Sequence, residues 1–143
     1  MDKKIIGYTT GVFDLFHIGH LNILEKAKEH CDYLIVGVTT DEEVQRVKNR
    51  KPIIPFEERV RIVQALKSVD EAVAEEDVDK LIAWEKYKYN VIFKGDDWKG
   101  SPQWNAYEAE FAKRDVDVVY FPYTDGTSST ELRKVLQRVL EGK

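Results

Sequence analysis

The chain has 143 residues, 34% charged and 43% hydrophobic, with a formal net charge of −4 and one cysteine. This length suits a single domain, residues 1–143, that buries its own core, and one cysteine excludes an intramolecular disulfide framework. The negative balance argues against a broad nucleic-acid surface, and no run has the length of a membrane span, so neither nucleic acid nor membrane is an expected partner.

Met1-Asp2-Lys3-Lys4 opens onto an apolar run too short for a secretory leader, so a cytoplasmic protein is expected. Ile5-Ile6-Gly7-Tyr8-Thr9 reads as a strand and Leu21 to His30 as a helix. Cys31, in register with Leu24 and Ala27, reads as a small core residue. Tyr33 to Val38 is a nearly all-apolar strand, as expected when both sheet faces are covered. A short helix begins near Asp41, and Phe56 to Lys67 forms a longer one. Glu71 to Ala74 reads as a brief strand, Asp79 to Tyr89 as helix and Val91 to Lys94 as strand. Helix from about Trp104 to Lys113, strand from Val116 to Phe121 and helix from about Ser129 to Leu140 complete the chain. The alternation predicts an α/β, Rossmann-like domain, its sheet mostly parallel with helices on both faces. Ligands of such sheets sit beyond the carboxyl ends of the strands, where strand order reverses.

The segment after the first strand is Gly11-Val12-Phe13-Asp14-Leu15-Phe16-His17-Ile18-Gly19-His20, which holds two of the three histidines. Glycines let backbone approach a polyanion, and a helix start offers free N–H groups and a positive dipole end. Imidazoles placed there can donate hydrogen bonds to phosphate oxygens as charge builds in phosphoryl or nucleotidyl transfer. A cap or core role is the bland alternative. A zinc pair lacks the further ligands it would need.

Three later stretches stand out. In the helix from Phe56, a period of 3.6 puts Arg59 inside the apolar stripe and Lys67 at its edge. A cation there requires a ligand or an ion-pair partner such as Asp70 or Glu71. Before it, Lys48-Asn49-Arg50-Lys51-Pro52 is either a solvated basic loop or a flap that closes over anions. Lys94-Gly95-Asp96-Asp97-Trp98-Lys99-Gly100 is either a turn or a grip on a nucleoside. Tyr123-Thr124-Asp125-Gly126-Thr127-Ser128-Ser129-Thr130 precedes a helix with an apolar face at Leu132, Val135, Leu136, Val139 and Leu140. Ser128 with Glu131 fits a capping box, and the hydroxyls beside Gly126 equally suit a phosphate.

Together G-x-F-D-x-x-H-x-G-H, E-x-R, G-D-D-W and G-x-S-S-T resemble the bacterial glycerol-3-phosphate cytidylyltransferases, of the H-x-G-H nucleotidylyltransferase superfamily, over nearly the whole chain. The H-x-G-H letters also occur in class I aminoacyl-tRNA synthetases, but the chain is too short and carries no K-M-S-K-S loop. The resemblance implies transfer of a cytidylyl group from CTP to glycerol 3-phosphate by direct in-line attack, giving CDP-glycerol for a teichoic-acid-like or capsular polymer. It implies catalytic roles for His17, His20 and Arg59, with Asp14 supporting the motif's geometry or a metal-bound water. Val12 and Phe13, with Ile18 and Gly19, would contact the nucleotide, joined by Arg50, Asp97, Tyr123, Thr124, Gly126, Ser128, Ser129 and Thr130. Lys48, Lys67, Asp70 and Lys80 would serve the acceptor. Mg²⁺ is expected with CTP, although no cage of carboxylates is visible, and the resemblance implies a homodimer. The chain departs from the family's pattern with Tyr123 and Lys67 where arginine is usual and Val12 where threonine is usual. Alternatives are another polyol, sugar or alcohol phosphate as acceptor, ATP as donor, or a nucleotide-binding module without turnover.

Overall fold

Five parallel strands in the order β3-β2-β1-β4-β5 form the centre of the protein. The computed structural model describes residues 4–122 and 129–142. The strands are β1 (Ile6–Gly11), β2 (Tyr33–Thr39), β3 (Glu71–Glu75), β4 (Val91–Gly95) and β5 (Asp117–Phe121). The helices are α1 (Ile18–Glu29), α2 (Asp41–Lys48), α3 (Phe56–Gln64), α4 (Lys80–Tyr87), α5 (Pro102–Ala112) and α6 (Ser129–Glu141). The chain builds outward from β1 to β3, then returns to place β4 on the other side of β1. That reversal opens a crevice between the carboxyl ends of β1 and β4.

Alternating side chains send each strand's residues to two separate cores. One face packs Leu24 and Ala27 of α1 and Val63 of α3 onto Val36, Val38, Val91 and Phe93. The other packs Ala83 of α4 and Trp104 and Phe111 of α5 onto Tyr8, Ile35 and Ile92. Burial on both faces explains why β2 reads as a continuous apolar run. Cys31 lies just past α1, packed against the first core, as its register predicted.

Local chemistry sets the helix ends. Thr40, Asp79 and Ser101 accept from the first-turn N–H groups of α2, α4 and α5, and Pro102 follows at the first position of α5. Left-handed Asn49 and Lys88 stop α2 and α4. The largest departures from the predicted boundaries are at α1 and α3. α1 starts at Ile18 because His17 caps it, and α3 ends at Gln64 because Leu66 and Val69 bond three residues back in tight turns. The apolar face read on α6 exists, but Val135, Leu136, Val139 and Leu140 are exposed. No described helix is long and apolar enough to cross a membrane.

Candidate active site

Where β1 leaves the sheet the chain turns sharply, with Phe13 and Leu15 both at positive φ, 55° and 51°. Gly11 allows it: a Cβ there would lie 2.9 Å from the Phe13 ring, which folds back over the strand end and is buried. The loop delivers His17 to the N-cap of α1. Its Nδ1 accepts from the Gly19 amide at 3.1 Å, and His20 Nδ1 accepts from the His17 amide at 3.2 Å. Two imidazoles thus form the reciprocal capping box that a hydroxyl and a glutamate usually make.

This box decides the chemistry of both rings. With Nδ1 engaged as acceptor, the hydrogen-bond network assigns each ring proton to Nε2. Burial lowers the pKa of both groups, and that of His20, with His17 adding to the effect, falls to about 4. The rings stand 4.1 Å apart, centroid to centroid, and His20 packs against Phe13 and Phe16. At neutral pH the pair therefore presents two neutral N–H donors at a helix N-terminus.

Buried Asp14 and Arg59 fasten the surrounding loops. Asp14 accepts from the Ile53 and Ile54 amides at 2.8 and 2.9 Å. Arg59, 1% exposed, donates Nε to the Ile54 carbonyl, Nη1 to the carbonyls of Val12 and Thr39, and Nη2 to Asp41 at 2.6 Å. One guanidinium thereby ties the β1–α1 loop, the end of β2, the start of α2 and the segment before α3. The basic stretch read as a flap is pinned at its far end by these bonds, and Lys48 belongs to the last turn of α2.

These walls enclose a cavity of about 330 Å³ at the β1–β4 crevice. It is lined by four cations, Lys48, Arg50, Lys94 and Arg133, against two carboxylates, Asp14 and Asp97. In a chain of net charge −4 that local excess marks an anion site. The cations of the cavity work against one another. Desolvation first, then Arg50 and Arg133, lower the pKa of Lys48, and desolvation and Arg50 lower that of Arg133. An incoming polyanion relieves that repulsion. Arg133 stands 3.7 Å from Asp14 and bonds Thr130, so the start of α6 closes one side.

The profile of the cytidylyltransferase-like family matches residues 8–135, a span that includes both imidazoles and all of the sheet but the first two residues of β1. The chain belongs to that family. It is 39% identical over 133 residues to the glycerol-3-phosphate cytidylyltransferase of Bacillus spizizenii, covering 92% of this chain and 95% of that protein. It is 35% identical over 144 residues to the FAD synthase of Thermococcus sibiricus, covering 97% and 95%. The lipopolysaccharide core biosynthesis protein of Thermoplasma volcanium superposes with a TM-score of 0.74 at 28% identity, over 86% of this chain and all of that one.

For a cytidylyltransferase-like chain, most of the expected site converges. Val12, Phe13, Asp14, His17, Gly19, His20, Lys48, Arg50, Asp97 and Thr130 all line the cavity. Ile18 is half exposed and off it. Ser129 opens α6, and Tyr123, Thr124, Gly126 and Ser128 lie outside the described residues.

Four expected residues are placed elsewhere. Arg59 faces backbone carbonyls and Asp41 rather than the cavity, so it supports the loops behind the site. Its carboxylate partner is Asp41, not Asp70 or Glu71. Lys80 is buried behind the wall, on Glu75 at 2.8 Å and Thr10 at 3.0 Å. Asp70 sits at the amino end of β2, bonding the Leu34 amide and Lys28, and Lys67 is exposed just before it. Both lie away from the carboxyl-end crevice. Two cations of the cavity escaped the sequence reading. Lys94 reads as the end of a strand and the start of the G-D-D-W stretch with no role of its own, and no sequence pattern singles out Arg133.

Proposed function

We propose that the chain transfers a cytidylyl group from CTP to glycerol 3-phosphate, giving CDP-glycerol and pyrophosphate. The observation that carries this reading is the neutral imidazole pair at the start of α1, facing a cavity rich in cations. The family membership and the 39% identity to a glycerol-3-phosphate cytidylyltransferase support the choice of substrates.

The chemistry asks for alignment and charge stabilisation. A phosphate oxygen of the acceptor forms a bond to the α-phosphorus of CTP while the bond to the bridging oxygen breaks. That bridging oxygen keeps the electron pair and departs with pyrophosphate. The acceptor phosphate is already ionised at neutral pH, so no general base is needed. As charge grows on the phosphate oxygens, His17 and His20 donate their Nε2 protons as hydrogen bonds, without transferring them. Arg50, Lys48 and Arg133 balance the departing charge, and the Asp14 and Arg59 bonds hold the loops in register.

Mg²⁺ would accompany the triphosphate and neutralise part of its charge. Among the described residues no group of three His, Cys, Asp or Glu side chains could hold a metal ion. We further propose a cytoplasmic homodimer. The exposed apolar stripe of α6 is one observation in favour of a partner copy.

The 35% identity to a FAD synthase over 97% of the chain favours a second reading, adenylyl transfer to a flavin phosphate. A choice of donors separates the two. With glycerol 3-phosphate present, pyrophosphate release is expected from CTP and at least about a hundred times less from ATP, roughly 2.7 kcal/mol of discrimination. Release from ATP that requires a flavin phosphate would replace the first reading with the second.

A further inference from the structure

Lys94 stands apart from Arg50, Lys48 and Arg133, the cations that balance the departing charge. It is the last but one residue of β4, partly buried, and it lines the cavity. Strand alternation sends Val91 and Phe93 to the α1 side and Ile92 to the α4–α5 side, and Lys94 follows Ile92. Its ammonium lies 4.9 Å from the Trp98 ring centre and 5.7 Å from that of Trp104, on α5. No carboxylate forms an ion pair with it among the described residues. Glu75 is already engaged by Lys80 and Thr39, and Asp97 acts on Lys94 only at longer range.

An ammonium partly withdrawn from water, beside two indole faces and with no ion-pair partner among the described residues, is costly to keep charged unless an anion arrives. The surroundings sharpen the point. Desolvation first, then Lys80 and Lys48, lower its pKa to about 8, against the opposing pull of Glu75 and Asp97. Lys94 is therefore poised on the alkaline side of neutrality and becomes fully charged when a phosphate binds beside it.

In-line displacement then decides which phosphate. The attacking and leaving oxygens stand on opposite sides of the α-phosphorus. The imidazole pair and the N-terminus of α1 occupy the α1 side of the crevice, and Lys94 and Thr10 the α4–α5 side. We propose that Lys94 holds the acceptor's phosphate on the α4–α5 side of the crevice, opposite the imidazoles that receive the departing pyrophosphate, and thereby selects phosphorylated over free alcohols. This rests on the cytidylyltransferase reading of the same site.

Lys94→Met removes the charge and keeps an unbranched chain, while Lys94→Arg keeps a charge that does not titrate near neutrality. Glycerol 3-phosphate is titrated into each protein saturated with the α,β-methylene analogue of CTP, which cannot turn over. Lys94→Met is expected to weaken glycerol 3-phosphate binding about ten- to a hundred-fold at pH 7, with affinity for the CTP analogue within about two-fold. In the wild type, binding should weaken as pH rises through about 8, because the ammonium is lost. Lys94→Arg should be flat over the same range. Unchanged glycerol 3-phosphate affinity in Lys94→Met, or absent binding in the wild type, would overturn the proposal. So would a weakening confined to the CTP analogue, which would put Lys94 in the nucleotide's subsite. The titration needs no turnover, so its result is separate from wild-type pyrophosphate release, which tests the reaction itself.

Discussion

His17→Ala is expected to lower kcat by about 10²–10³-fold, the usual effect of deleting one donor aimed at developing phosphate charge. The same change removes the N-cap of α1, because the Gly19 amide loses its acceptor. That loss is worth about 1 kcal/mol of stability. The two effects separate in His17→Asn, whose side-chain oxygen can cap the helix but which has no imidazole. Melting temperature should return toward wild type in His17→Asn while kcat stays low. Were both variants to keep wild-type kcat, with only the melting temperature altered, His17 would be a helix cap and nothing more.

Arg59→Met should have the largest effect on stability. Arg59 is fully buried, and its removal strands the carbonyls of Val12, Thr39 and Ile54 and leaves Asp41 without its cation. Breaking a buried pair from one side costs about 3–5 kcal/mol, and for a domain of this size each kcal/mol lowers the melting temperature by roughly 2–4 °C. Asp41→Asn should cost far less, since the Asp41 side chain is 31% exposed and the carbonyls keep their donor. Thermal melts of the two variants beside wild type check this. Equal effects would mean that the ion pair, rather than the carbonyl grip, holds the loops.

The order of elements was legible because each carries a local pattern. β2 is apolar throughout, α2, α4 and α5 start at hydroxyl or carboxylate caps, and the apolar stripe of α3 repeats at 3.6. The start of α1 was misplaced because histidine is not a usual capping residue, and only the folded loop shows its Nδ1 on the Gly19 amide. Arg59 was legible as a cation out of place on its helix. Its partners were not, since Val12, Thr39 and Asp41 come from distant segments of the chain. The exposed position of Lys67 and the Asp70–Lys28 bridge likewise depend on which end of the sheet each segment reaches. Lys94 was hidden because strand alternation assigns a face only once both cores are known.

The most direct test of the account is product formation by purified protein given CTP, glycerol 3-phosphate and Mg²⁺, read as pyrophosphate and CDP-glycerol together. Both products should appear in equal amounts, require both substrates, and drop about 10²–10³-fold in His17→Ala. Tight CTP binding with neither product formed, or pyrophosphate release that ignores glycerol 3-phosphate, would contradict it.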